Sequence, residues 1–189
     1  MYELWEELEK NCSKCVKCEL FETRSNVVFG VGNKKAEVMF VGEGPGENED
    51  LRGEPFVGKA GRLLDEMLAE INFYRDKNIY IANIVKCRPP KNRDPSSEEQ
   101  LACIDWLRNQ TLLIKPKILV CLGRIAAQRI IKDDLKITKE HGLFYKKGDI
   151  FFMPTFHPAA ILRDPSRKKD TLKDFLNLKK KLKELTVIN

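Results

Sequence analysis

The chain has 189 residues, 42% of them hydrophobic and 33% charged, with 34 Lys and Arg against 28 Asp and Glu for a formal net charge of +6. Those figures describe a globular chain long enough to bury a real core as one domain over 1–189. No apolar run approaches a bilayer span, and an opening with Glu3, Glu6, Glu7 and Glu9 is unlike a secretory signal, so the expectation is a cytoplasmic protein.

In chain order, Cys12, Cys15 and Cys18 come first at even spacing, and Cys87 and Cys103 lie far downstream. In a reducing compartment such thiols suggest metal or cluster ligation more than disulfides. A set split in this way cannot close as a local knuckle; it would fasten the chain's beginning to its middle. Residues 36–41 (A-E-V-M-F-V) read as a buried strand, followed by a glycine-rich loop over 42–46 and a helix over about 59–71. A second strand covers 78–83. After a polar, proline-rich stretch, Ser96 caps a helix reaching about 114, with Glu98 and Glu99 in its first turn. A third strand over 117–122 leads into a helix over about 124–131. A fourth strand follows over 150–154, and the last helix starts near Asp170. Leu172, Phe175, Leu178, Leu182 and Leu185 recur there at helical spacing, so Lys179, Lys180, Lys181 and Lys183 read as its wet face. Strands alternating with helices predict a parallel sheet covered on both faces.

Every candidate for chemistry falls at the carboxyl end of a strand, the edge where open parallel sheets bind ligands. Gly42-Glu43-Gly44-Pro45-Gly46 follows the first strand, and Asn83 ends the second with Cys87 just beyond. Gly123 follows the third, and Thr155-Phe156-His157-Pro158 the fourth. The glycine loop lets backbone approach a ligand and present N–H groups. It lacks both the Gly-Lys-Ser/Thr of a Walker loop and the spacing of a dinucleotide fingerprint. A plain turn would explain its glycines, though not the crowding of Glu43, Glu47, Glu49 and Asp50. Taken singly, His157 is as readily structural as catalytic. Asn83 could cap a loop or read the edge of a planar heterocycle, and Phe56 could be core or a stacking platform. Cys121 sits in an apolar strand and reads as packed core. Four thiolates suit a tetrahedral zinc as well as a cluster, and on the residues alone zinc comes first.

Five stretches together resemble the iron–sulfur, family 4 (type-4) branch of the uracil-DNA glycosylase superfamily. They are C-V-K-C-E-L-F-E-T-R (15–24), V-G-E-G-P-G-E-N-E-D (41–50), G-E-P-F-V-G-K-A-G (53–61), N-I-V-K-C-R-P-P-K-N-R-D-P (83–95) and F-H-P-A-A-I-L-R-D-P (156–165). The resemblance implies a three-layer α/β/α sandwich with a central four-stranded parallel sheet. Its N-terminal segment would be stapled by a 4Fe-4S cluster on Cys15, Cys18, Cys87 and Cys103, leaving Cys12 a spare thiol. It also implies a monomeric, monofunctional glycosylase of base excision repair in a prokaryotic, nucleoid-associated setting. Such an enzyme flips uracil out of single- or double-stranded DNA and hydrolyses its N-glycosidic bond, with a replication clamp or polymerase as a candidate partner.

Carried onto this chain, the family's roles place Phe56 against the flipped ring and Asn83 on its O4 and N3–H edge. Glu49, or Glu47, would exclude the thymine methyl. His157, with loop N–H groups around Gly42 and Gly44, would stabilise the departing anion. Glu43 would assist on the water or sugar side, because Gly44 stands where the better-known branch has an aspartate. Ile161 and Leu162 would form an apolar wedge, and Arg163, Arg167 and Lys168 would meet phosphates, with Arg88, Lys91 and Arg93 on the other side. Two positions depart from the pattern: His141-Gly142 replaces Arg-Gly, and Ala160 replaces a larger residue. The rival readings are a catalytically silent, cluster-bearing DNA-binding accessory module of a replication or repair assembly, and a metal-stapled nucleotide-binding enzyme.

Overall fold

The computed structural model describes residues 4–187, so Glu3 and both chain ends lie outside the described residues. Two helices come first, α1 (Trp5–Ser13) and the single turn α2 (Leu20–Thr23). The strands are β1 (Val31–Gly32), β2 (Val38–Gly42), β3 (Ile79–Asn83), β4 (Ile118–Leu122), β5 (Tyr145–Lys147) and β6 (Ile150–Thr155). After β2 come α3 (Glu47–Arg52) and α4 (Lys59–Ala69), and after β3 comes α5 (Ser97–Ile114). After β4 come α6 (Arg124–Ile130) and α7 (Ile137–Glu140), and after β6 come α8 (Pro158–Arg163) and α9 (Arg167–Val187).

Among the described residues these strands form one mixed sheet in the order β1-β3-β2-β4-β6-β5. That corrects the expectation of a four-stranded parallel sheet. The inner four, β3, β2, β4 and β6, are parallel, but β1 joins β3 antiparallel and β5 joins β6 antiparallel. Both edge strands escape sequence patterning for a physical reason. β1 is two residues long and β5 is largely exposed, so neither carries an apolar run.

Each of β2, β3 and β4 is buried along its whole length, and the period of two sends its side chains alternately to two cores. Met39, Val41, Tyr80, Ala82, Leu119 and Cys121 meet side chains of α1, α5 and α6, such as Leu8, Leu107 and Ala127. Val38, Phe40, Ile79, Ile81, Ile118 and Val120 face the other way, onto Leu64 and Met67 of α4 and Phe175 and Leu178 of α9. Two helical layers thus enclose the sheet. Burying each large apolar side chain contributes about 1.5–3 kcal/mol. On α9 the buried face is Thr171, Asp174, Phe175 and Leu178, while Lys180 and Lys183 are exposed.

The cap expected at Ser96 is a full capping box. Ser96 Oγ accepts from the Glu99 N–H at 3.2 Å, and Glu99 Oε2 accepts from the Ser96 N–H at 2.7 Å. Topology then places the site. From β2 the chain crosses through α4 on one face to β3, then through α5 on the other face to β4, which lies on the opposite side of β2. The connections leave β2 and β4 in opposite directions, which opens a crevice at their carboxyl ends.

Candidate active site

A cleft of about 740 Å³ occupies that crevice, and Glu43, Gly44, Glu49, Phe56, Asn83 and His157 all line it. With Gly123 also in the lining, four separate strand ends and the loop after α3 converge as the sequence suggested. Asn83, the last residue of β3, is 1% exposed, and its Oδ1 has no hydrogen-bond partner. A buried, unpartnered amide oxygen costs about 1–3 kcal/mol unless a ligand supplies the donor. Gly42 does not line the cleft; it lies behind these side chains. A Cβ there would stand 2.5 Å from Asn83 Oδ1 and 2.6 Å from Phe56 Cζ, so only glycine leaves both side chains in place.

Phe56 is held in the left-handed region at φ 56°, unusual for an aromatic residue. Arg75 fixes that turn: its Nη1 donates to the Pro55 carbonyl and its Nη2 to the Phe56 carbonyl, both at 2.6 Å, while Nε pairs with Asp65 at 2.7 Å. The Phe56 ring lies 5.6 Å from the His157 ring, tilted by 36°. Glu49 acts first as an anchor. Its Oε1 accepts from the Val57 and Gly58 N–H groups at 2.9 and 2.8 Å, which ties α3 to the loop that follows Phe56. Glu47 is exposed, 3.5 Å from Arg88.

His157 caps α8, and its Nδ1 accepts the Ala159 N–H at 3.1 Å. That bond assigns the proton to Nε2, leaving a neutral ring with one free donor. Burial, reinforced by Arg163 and partly opposed by Glu49, pulls its pKa down to about 4. Glu43 is shifted the other way, up to about 7, by burial and by Asp94. Asp94 in turn pairs with Arg124 at 2.8 Å. Sequence reasoning did not single out Asp94, Arg124 or Arg75, because nothing in their spacing announces that they meet Glu43 or Phe56.

The proposed DNA-facing residues separate. Arg163 and Arg167 line the cleft, and Arg167 lies 5.2 Å over the Phe156 ring. Leu162 is 48% exposed, but Ile161 is 2% exposed and packed in the core beneath α8. Ile161 is therefore removed from the expected wedge by the phase of its helix. Lys168 is partly buried and outside the cleft lining. His141, one of the two departures, bonds the buried Asp174 through Nδ1 at 2.9 Å, and Thr155 donates to the same carboxylate at 2.6 Å.

A second, small cavity lies between α1, α5 and the end of β3, lined by Cys12, Cys15, Cys18, Cys87 and Cys103. None of these forms a disulfide. Three of the five receive N–H hydrogen bonds. Trp106 Nε1 donates to Cys15 Sγ, Arg24 Nη1 to Cys87 Sγ and the Lys86 N–H to Cys103 Sγ, each at 3.3 Å. Such donors suit thiolates bound to a cluster. Cys12 belongs to the same cavity, and among the described residues no N–H hydrogen bond reaches its sulfur. Among the described residues no three His, Cys, Asp or Glu side chains converge on a single-ion site. Five thiols around one cavity are a donor set of the kind that holds a metal ion or an iron–sulfur cluster. Cys121 is fully buried within β4, as expected.

The profile of the Uracil DNA glycosylase superfamily matches residues 29–182. A Type-4 uracil-DNA glycosylase of Archaeoglobus fulgidus is 44% identical over 191 residues, spanning 95% of this chain and 92% of that relative. Similar proteins of the same name occur in Saccharolobus solfataricus, 45% identical over 93% of this chain and 86% of the relative, and in Thermotoga maritima, 45% identical over 88% and 87%.

Proposed function

The chain belongs to the uracil DNA glycosylase superfamily, and on that premise we propose that it excises uracil from DNA, hydrolysing the N-glycosidic bond to leave free uracil and an abasic site. The observation that carries this reading is the buried, unpartnered Oδ1 of Asn83, set beside Phe56 and His157. A flipped uracil supplies what that oxygen lacks: its N3–H donates to Oδ1 while its O4 accepts from the amide nitrogen. Cytosine presents the reverse pattern and leaves the amide mispaired. Phe56 stacks on the ring. Glu49, fixed by two backbone N–H bonds, forms a rigid wall against the thymine methyl.

Cleavage of the N1–C1′ bond sends its electron pair to the base and leaves cationic character on the sugar. Nε2–H of His157 donates to uracil O2, where negative charge develops, and needs no second proton to do so. Glu43, ionised, stabilises the sugar cation or orients the water that adds to C1′. Leu162 fills the space left by the flipped base, while Arg163, Arg167 and Lys168 meet phosphates. We assign Cys15, Cys18, Cys87 and Cys103 as the residues that would hold a 4Fe-4S cluster; bound there it would fasten the N-terminal segment to β3 and α5, and the hydrolysis itself transfers no electrons.

The test is uracil release from a labelled uracil-containing oligonucleotide in EDTA, with wild type beside Asn83→Asp and His157→Ala. Alkali-labile cleavage by wild type with large losses in both variants supports the reading. Cluster-loaded protein that binds DNA and releases no uracil refutes it and leaves the silent accessory module.

A further inference from the structure

Lys86 is 1% exposed, lies beside Cys87 and lines the cysteine cavity. Its Nζ donates to the Asn83 carbonyl at 2.9 Å and to Gln110 Oε1 at 2.7 Å. Its backbone is fastened as well, with the N–H on Cys103 Sγ at 3.3 Å and the carbonyl accepting from the Val28 N–H at 2.8 Å. Gln110 lies two turns beyond Cys103 on α5, and it donates onward to the Phe29 carbonyl at 3.0 Å and the Tyr80 hydroxyl at 3.2 Å. A continuous polar network thus runs from the Cys103 thiol through the backbone and side chain of Lys86 to the peptide of Asn83. That residue's own amide oxygen is left without a partner, and the residue lines the cleft.

Resting on the glycosylase reading, we infer that Lys86 is a positioning residue for uracil recognition: it holds the Asn83 carbonyl to the wall of the cysteine cavity and so fixes the amide that reads the base. The direct N–H bond from Lys86 to Cys103 and the Nζ bond to Asn83 belong to the same residue. A disturbance at the thiols therefore reaches the base pocket without crossing the rest of the core. Methionine at this position would keep the length and lose the donor, leaving two buried acceptors unmatched.

The experiment measures the dissociation constant of radiolabelled uracil by equilibrium dialysis, with iron per chain, for wild type, Lys86→Met, Gln110→Leu and Tyr80→Phe. Lys86→Met should weaken uracil binding about tenfold, equivalent to about 1.4 kcal/mol, at unchanged iron content. Gln110→Leu, which removes one of the two acceptors of Nζ and keeps its bond to Asn83, should weaken it about threefold. Tyr80→Phe removes the outer member of the network, so it should lower thermal stability and leave uracil binding at the wild-type value. Wild-type affinity in Lys86→Met overturns the inference. Should that variant fail to fold, wild-type affinity in Gln110→Leu overturns it instead. An equal weakening in Tyr80→Phe also overturns it, because the effect would then be general loosening. A wild type that neither binds uracil nor releases it from DNA fails the glycosylase reading itself, and the role of Lys86 falls with it.

Discussion

Two ionisable groups in the cleft are displaced in opposite directions, and a pH profile separates them. Glu43 is raised to about 7 by burial and Asp94, and His157 is lowered to about 4 by burial and Arg163. At pH 5.5 a histidine of ordinary pKa, 6.5, would be about nine-tenths protonated, whereas one at about 4 is only about 3% protonated. By the same arithmetic Glu43 is only about 3% ionised at pH 5.5 and nearly fully ionised at pH 8.5. The perturbation is Glu43→Gln, which deletes one titration and leaves the other. Single-turnover uracil release at constant ionic strength is the assay. Wild-type rate should fall through pH 7 toward the level of the variant, which itself stays within about twofold from pH 8.5 to 5.5 and declines only near 4. A variant that loses activity with a midpoint near 6.5 would refute the neutral, Nε2-protonated histidine. A wild-type profile that is flat through pH 7 would refute the role of ionised Glu43.

Stability gives an independent check of both signs. Glu43 binds its proton more tightly folded than unfolded, so its contribution is fully present below about 4.5 and is lost as pH rises through about 7. Glu43→Gln should therefore raise the Tm at pH 8 and leave it unchanged at pH 4. His157 binds its proton less tightly when folded, so its contribution is present above 6.5 and is lost as pH falls through about 4.

Three further outcomes are expected. His157→Ala removes the donor aimed at uracil O2 and should lower kcat by roughly 10²–10³-fold with little change in KM, read in the same assay. Gly42→Ala drives a methyl to 2.5 Å from Asn83 Oδ1 and 2.6 Å from Phe56 Cζ; overpacking of that kind should cost roughly 10–100-fold in uracil release, while DNA affinity by fluorescence anisotropy stays within about twofold. Cys103→Ala should yield protein without iron or visible absorbance, whereas Cys12→Ala should retain both, because the Cys103 sulfur receives the Lys86 N–H and, among the described residues, no N–H bond reaches that of Cys12.

The parts of the site that were legible in the sequence share one property: they sit where a readable apolar run stops. Glu43, Asn83 and His157 each lie at or just beyond the end of an inner strand, so locating the strand located the residue. Ile161 was misplaced because A-A-I-L carries no polar marker to fix the phase of α8. In the folded chain Pro158 and Ile161 turn inward and Leu162 turns out. Contacts between distant polar side chains left no trace at all. Lys86 and Gln110 are 24 residues apart, Glu43 and Asp94 lie on different loops, and only the fold brings each pair together. The edge strands were invisible for the opposite reason, having no buried run to report.

Part of the local cost lies where the chemistry is. Phe56 and Asn92, which line the cleft, and Lys91 beside Asn92 hold left-handed backbone, and Asn83 Oδ1 lacks a partner there. Each such strain costs on the order of 1–3 kcal/mol, and each is over-determined by fixed neighbours. Arg75 clamps the Phe56 turn through two carbonyls, and Arg88 holds Asn92 Oδ1 at 2.7 Å. Arg93 forks onto Glu99, which also closes the cap of α5. The remaining left-handed residues outside the cleft, Asn72 and Lys115, simply end α4 and α5. A terminal turn needs no ligand to justify its conformation. The orphan oxygen of Asn83 does, because nothing within the described protein completes it and a planar ring bearing a donor beside an acceptor would.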